Sequence, residues 1–277
     1  MSYKQTSDQL KKRAGCIRSH TLKAIHQAQS GHPGGSLSAA EIITVLYFDE
    51  MRINPDHPED DLRDRFVLSK GHCAPVYYAA LAERGYFSGD EVLHLREYGH
   101  FLQGHPDMKR IPGVDMSSGS LGQGISAAAG MALGARLRNM DSRIYTLLGD
   151  GELEEGQVWE AAMFAGARKL DNLCVIVDNN DLQIDGHLRD VNSPYPIDRK
   201  FKAFNFYTQV VEDGNDIEQL QAAFRKAREM KGRPSAIICR TVKGKGVSFM
   251  ENQAEWHGKA PNDEQLNLAL KEIGSRT

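Results

Sequence analysis

The sequence predicts an α/β fold in which helices cover both faces of a mostly parallel central sheet. Short apolar runs alternate with segments of helical period along the whole chain, the pattern of βα units rather than of hairpins. Glycine, 26 residues in 277, is gathered into clusters at 31–35, 119–124, 149–151 and 244–246. Such clusters mark loops in which backbone turns tightly or lies close to something else. No internal repeat, low-complexity tract or linker divides the chain, so residues 1–277 read as a single domain.

The first helix opens at Thr6-Ser7-Asp8-Gln9, whose hydroxyl and amide fit a capping box, and continues with Leu10, Ala14, Ile17, Ala24, Ile25 and Ala28 as one apolar stripe. His20 and His26 fall within it. Ser38-Ala39-Ala40-Glu41 fits a second capping box. Strands are expected at 65–68, 144–148, 173–177, 208–211 and 235–241. A helix from about 155 to 169 turns Val158, Ala161, Ala162, Ala165 and Leu170 inward. Another opens at Asn215-Asp216, buries Ile217, Leu220, Phe224 and Ala227, and is stopped by Gly232 and Pro234. Residues 125–134 have helical period but short side chains, which predicts close packing within the domain or across a subunit boundary.

Composition excludes several classes of function. The 34 Lys+Arg and 37 Asp+Glu leave a formal charge of −3, too balanced for an electrostatic binder of nucleic acid or of a membrane surface. Four cysteines without CxxC spacing suggest neither a disulfide framework nor zinc; Cys174 and Cys239 lie inside apolar runs. The opening fifteen residues are polar, and no apolar stretch is long enough to span a bilayer. A reducing, cytoplasmic setting is expected.

The strongest chemical signal is an apolar strand ending in Gly149-Asp150-Gly151, followed by a helix and by a second apolar strand ending in Asp178-Asn179-Asn180. In such a βαβ unit the two strand ends lie at one edge of the sheet, where open α/β folds bind ligands. Asp150 and Asn180 would converge there as oxygen donors. A carboxylate and an amide carbonyl make a poor zinc site but suit a hard cation such as Mg2+ with phosphate oxygens. A helix start beside them offers free N–H groups to a diphosphate. A tight turn with a capping Asp150 would account for Gly-Asp-Gly alone.

These residues together resemble the metal–diphosphate motif of thiamine-diphosphate enzymes, and Gly149-Asp150-Gly151-Glu152-Leu153-Glu154-Glu155-Gly156 with Trp159-Glu160-Ala161 resembles the transketolase family in particular. Further motifs follow in family order: Ser30-Gly31-His32-Pro33-Gly34, Leu68-Ser69-Lys70-Gly71-His72, Gly104-His105-Pro106, Ser118-Gly119-Ser120-Leu121-Gly122-Gln123-Gly124, Lys243-Gly244-Lys245-Gly246 and Trp256-His257-Gly258. The resemblance extends from about residue 20 to 260. It implies the thiamine-diphosphate-binding fold. Asp150, Asn180 and the Leu182 carbonyl would hold Mg2+ (or Ca2+ or Mn2+). His72, Gly119, Leu121, Gly149, Gly151, Glu152 and His257 would serve the cofactor, while His32, His105 and His257 would line the substrate channel. Imidazoles suit the several proton transfers of ketol exchange. Glu155 would favour a helix dipole by about 0.3–1 kcal/mol and, by resemblance, join a glutamate network between paired subunits. His57, His94, His100 and His187 match no motif.

The resemblance stops at the amino-terminal portion of a full-length transketolase. The pyrimidine-binding domain, which carries the glutamate that activates the cofactor, has no counterpart here. It is expected on a separate carboxy-terminal transketolase subunit, the two chains forming an α2β2 heterotetramer that acts on sugar phosphates. Alternatives are the α-type subunit of an enzyme acting on 2-oxo acids and a non-catalytic scaffold subunit. The histidines at 32 and 105 speak against the first, since a decarboxylating site has less need to grip hydroxyls; retention of the whole site speaks against the second.

Overall fold

The computed structural model describes residues 5–276. The helices are α1 (Ser7–Ala28), α2 (Pro33–Ser38), α3 (Ala40–Val45), α4 (Ala74–Arg84), α5 (Gln123–Leu137), α6 (Gly156–Ala167), α7 (Leu188–Val191), α8 (Ile197–Ala203), α9 (Ile217–Glu229) and α10 (Asp263–Arg276). The strands are β1 (Arg65–Leu68), β2 (Ile144–Gly149), β3 (Leu173–Asn179), β4 (Leu182–Gln183), β5 (Gly186–His187), β6 (Tyr207–Val211) and β7 (Ser235–Arg240). The five expected strands thus all form, within a residue or two of their expected ends.

Those five make one sheet in the order β1-β2-β3-β7-β6, parallel at every pairing. Side chains alternate between its faces, as the pleat requires. Phe66, Leu68, Tyr145, Leu147, Cys174, Ile176, Ile237 and Cys239 enter one core together with α1, α3, α4 and α9. Val67, Ile144, Leu148, Val175, Val177, Ala236 and Ile238 enter the other with α5, α6 and α8. Each face has its own helix layer, so a run such as 173–177 is apolar throughout rather than alternating. A third cluster, built on Leu22, Leu37, Trp256 and Ile273, seats α10 against α1 and α2.

Helix ends follow local chemistry. Thr6 caps α1 through a full capping box with Gln9, and Asp216 caps α9 by accepting the Gln219 N–H at 2.8 Å. The stripe of α1 is buried except for half-buried Ala28. The second expected capping box does not form. Ser38 ends α2, and its hydroxyl donates to Asp178; Glu41 turns inward to pair with Arg18. A buried cation and a buried carboxylate claim those two side chains more strongly than a free helix end does. The helix after Gly-Asp-Gly starts within a residue of its expected position. A 3-10 turn, Gly151–Glu154, intervenes and α6 begins at Gly156 with Glu155 at its N-cap.

The short side chains of α5 pack closely within the domain. Ile125, Ala128, Ala129, Ala132 and Ala135 are buried, while Gly130 and Gly134 face open space. Close by in sequence, Leu137 on α5 and Met163 and Phe164 on α6 are exposed apolar residues.

Candidate functional site

All four loops that end β1, β2, β3 and β7 lie on one edge of the sheet, because every strand runs the same way. Gly149 pairs with Asp178 across β2 and β3, and the Asp150 N–H donates to the Asp178 carbonyl at 3.2 Å. The expected adjacency of the two strand ends is therefore present. Around them is a cavity of about 360 Å3 lined by His32, His72, Gly119, Leu121, Gly149, Asp150, Gly151, Glu152, Glu155, Asn180, Leu182 and His257. These are all but one of the residues anticipated from sequence. His105 is exposed and lies beside Gly119, on which a side chain would meet its imidazole at 3.1 Å.

The two glycine loops nearly touch. A Cβ on Gly71 would lie 2.7 Å from the Gly119 nitrogen, so backbone meets backbone there and glycine is required. Gly149 and Gly151, expected alike to admit an anion, divide the work. At Gly149 a Cβ would meet only Lys70, at 3.8 Å, so room remains; at Gly151 it would strike Gln183 Cβ at 2.9 Å. Gly151 lets two loops pack rather than opening space.

Asp150 is almost wholly buried, and three groups of the chain orient its carboxylate. Oδ1 accepts from the Gly151 N–H at 2.9 Å; Oδ2 accepts from the Asp181 N–H at 2.6 Å and the Asn179 amide at 3.0 Å. Burial raises its pKa to about 6. Asn180 Oδ1 accepts the Leu182 N–H at 3.3 Å, which folds the two remaining oxygen donors toward one another. The Leu182 carbonyl takes a hydrogen bond from Lys243 Nζ at 2.9 Å and keeps a second lone pair. One carboxylate, one amide oxygen and one carbonyl form an all-oxygen set.

Beyond the oxygens the wall turns basic. His32, His72 and His257 cluster with ring centroids 5.1–5.3 Å apart. Burial is the first cause that keeps all three neutral, and neighbouring cations reinforce it: His32 is lowered to about 4, His257 to about 3, and His72 well below its usual value. Lys243 lies 3.2 Å from His257 Nδ1, which fixes that nitrogen as the acceptor. Desolvation, then Lys70, lowers the Lys243 pKa. Lys243 and three neutral imidazoles bring one ammonium group and ring N–H donors to this 360 Å3 hollow, while the second lysine, Lys70, is paired with Asp178; those donors can receive an anion.

Glu152 and Glu155 have contrasting surroundings. Glu152 lines the cavity, yet its carboxylate is taken up by the Ser69 hydroxyl and by the N–H groups of Gly122 (2.8 Å) and Gly149 (3.1 Å). It clamps the glycine loops to the strand end. Glu155 is exposed and has no capping hydrogen bond of its own. Sequence reasoning also passes over Lys70, Lys243 and Asp178. Lys70 is fully buried, donating to Asp178 and, at 2.9 Å, to the Gly35 carbonyl. A lysine beside a glycine at a strand end, as in Ser69-Lys70-Gly71 and Lys243-Gly244, is the signal that would find both cations.

Comparison with known proteins agrees with this geometry. Residues 10–276 match the family described as transketolase, thiamine diphosphate binding domain. The 6-deoxy-6-sulfo-D-fructose transketolase subunit SqwG of Clostridium sp. (strain MSTE9) is 44% identical over 95% of this chain and 96% of its own. An apulose-4-phosphate transketolase subunit from Phocaeicola vulgatus is 40% identical over 94% and 92%. Human transketolase is 42% identical over 96% of this chain but only 42% of its own length. The structure of transketolase from Leishmania mexicana superposes with a TM-score of 0.91 at 32% identity, covering 98% of this chain and 42% of that one. These full-length transketolases are thus matched over less than half their length, and the subunits over nearly all of theirs. The chain belongs to the transketolase family, as its amino-terminal thiamine-diphosphate-binding part.

Proposed function

We propose that the chain is the diphosphate-binding half of a two-chain transketolase, with the pyrimidine-binding domain carried by a separate carboxy-terminal subunit in an α2β2 assembly. Its reaction would be transfer of a two-carbon glycolaldehyde unit from a ketose phosphate to an aldose. The observation that carries this reading is the joining of Asp150, Asn180 and the Leu182 carbonyl to a basic histidine–lysine wall around one cavity. Subunits of similar length among the relatives support the split arrangement. Glu155, exposed at the cavity rim, fits a face that a second chain covers.

The residues present suit the cofactor and its cation. Asp150, Asn180 and Leu182 would hold Mg2+, for which oxygen donors are preferred. Lys243, His72, His257 and the open backbone at Gly149 would receive the diphosphate, with Gly119 and Leu121 against it. Thiamine diphosphate supplies the carbon nucleophile that also accepts the electron pair of the broken carbon–carbon bond. The protein's own share is positioning and proton transfer. Neutral His32 and His257 can each donate and accept a proton, and with His105 they would bind hydroxyl and carbonyl oxygens of the sugar. Burial of that cluster keeps the imidazoles uncharged at neutral pH, ready for either direction of transfer. Among the described residues no helix is long and apolar enough to cross a bilayer. A cytoplasmic setting is part of the same proposal.

The test is co-expression with a pyrimidine-domain chain, followed by a ketol-transfer assay with added thiamine diphosphate and Mg2+. Activity is expected only when both chains and both additions are present. Transfer by this chain alone, or an assembled complex that stays inactive on every ketose phosphate tried, would contradict the reading.

A further inference from the structure

Arg96 stands between the two loops that carry His32 and His105, and it meets both. Its Nη1 donates to the Ser30 hydroxyl oxygen at 2.8 Å, two residues before His32. A Cβ on Gly104, the residue before His105, would lie 3.1 Å from Nε and Cζ and 3.2 Å from Nη2. Near-equal distances to three atoms of one planar group put that point over the face of the guanidinium. Gly104 therefore packs flat upon it.

The backbone is committed to this arrangement. Arg96 has φ 63°, a left-handed conformation that a long side chain adopts at a cost and keeps only where its surroundings fix it. Its N–H donates to the Leu102 carbonyl at 2.8 Å and closes the loop 96–102. From α4 the Tyr78 hydroxyl donates to the Gln103 carbonyl at 2.9 Å, fixing the residue before Gly104. Arg96 Nε is enclosed and takes no partner, a condition native interiors avoid. The side chain is thus held by its flat face and by Nη1, not by a full set of hydrogen bonds.

Charge links Arg96 to the same two histidines. Burial is the first cause of the lowered His32 and His105 pKa values, and Arg96 is the first charged neighbour of each. His32 also faces His105, Lys243 and Lys70, with the rings of His72 and His257 at 5.1 and 5.3 Å. On the His105 loop, the Asp107 carboxylate is taken up by the Lys109 N–H at 2.9 Å and the Ser117 hydroxyl at 3.4 Å. We propose that Arg96 is a positioning residue for ketol transfer, clamping the loops of His32 and His105 in register so that both imidazoles meet one sugar. It acts through those histidines, and the role rests on the ketol-transfer reading given above.

The test uses the assembled two-chain complex carrying Arg96→Gln, which removes the charge and the guanidinium face, or Arg96→Lys, which keeps the charge alone. Misplacing a group by about 1 Å can cost about a hundredfold, so both variants should lower kcat/KM by about 10- to 100-fold, chiefly through kcat. In Arg96→Gln the acid limb of the pH–rate profile should also move to higher pH, because neutral imidazoles lose the cation that opposes their protonation. In Arg96→Lys that limb should stay in place. NMR titration of the imidazoles in the full chain reads the same difference without turnover: the His105 midpoint should rise in Arg96→Gln only. An active wild-type complex with both variants within about twofold of it, even at lowered Tm, would mark a merely structural arginine and overturn the role. A His105 midpoint that does not move in Arg96→Gln would overturn it too. A wild-type complex without transfer would overturn the underlying reading instead. Should Arg96→Gln fail to assemble, the rate of Arg96→Lys decides.

Discussion

Asn179 donates its side-chain amide both to Asp150 Oδ2, at 3.0 Å, and to the Tyr195 hydroxyl oxygen, at 2.7 Å. One side chain at the end of β3 therefore orients the carboxylate at the end of β2 and ties it to the segment before α8. Groups that orient a metal ligand in this way typically contribute 10- to 100-fold to metal affinity, so Asn179→Leu should weaken Mg2+-dependent thiamine diphosphate binding by about that factor. Titration of the assembled enzyme checks it. Tyr195→Phe, which keeps Asn179 in place, should cost much less.

The ion pair of Lys70 and Asp178 is sealed, with side-chain exposures of 2% and 0%. Ser38 and Thr241 also donate to Asp178, so the carboxylate is the hub between α2, β3 and the loop after β7. Removing one partner of such a pair strands a buried charge. Lys70→Met should lower stability by about 3–5 kcal/mol, while Lys70→Met with Asp178→Asn should recover part of the loss. Denaturant unfolding of the four members of that cycle measures the coupling, and additive effects would show that the pair is not acting as a unit.

The neutral histidines give the chain a pH dependence of definite sign. In the unfolded chain each imidazole takes up a proton near pH 6.5; in the folded chain His32 resists until about 4 and His257 until about 3. Between those limits the unfolded state binds more protons, so this contribution lowers stability as pH falls from about 6.5 toward 4. Asp150, raised to about 6, acts oppositely: its protonation favours the fold, an effect lost as pH rises through 6. Replacing His32 and His257 together by Asn should therefore flatten the fall in Tm on acidification. A double variant with an unchanged slope would contradict neutral, buried imidazoles.

Gly166 on α6 meets the loop after α8 without clearance. A Cβ there would sit 1.8 Å from the Phe204 carbonyl oxygen, so backbone has to move to admit it. Gly166→Ala should destabilise by about 3 kcal/mol, at the upper end for an overpacked core, despite the better helix propensity of alanine. A melting curve is sufficient to check this, and an unchanged Tm would contradict it.

The strands were legible because both faces of the sheet are covered, which makes runs such as 144–148 and 173–177 apolar and short. The cavity was legible because its walls come from loops with glycine and histidine at recognisable spacing. Side chains whose roles depend on distant partners were not. Lys70 meets Asp178 across 108 positions of sequence, and Ser38 reaches the same carboxylate across 140. A local capping pattern at Ser38-Ala39-Ala40-Glu41 carried no trace of either contact. The two-residue strands β4 and β5 were likewise invisible, since so short a hairpin is held by its neighbours rather than by its own apolar pattern.

The most direct measurement is a crystal of the assembled two-chain complex grown with thiamine diphosphate and Mn2+, read by anomalous scattering. An ion within about 2.5 Å of Asp150, Asn180 and the Leu182 carbonyl is the predicted result. Cofactor bound with its manganese elsewhere, or manganese absent from that trio at full cofactor occupancy, would contradict it.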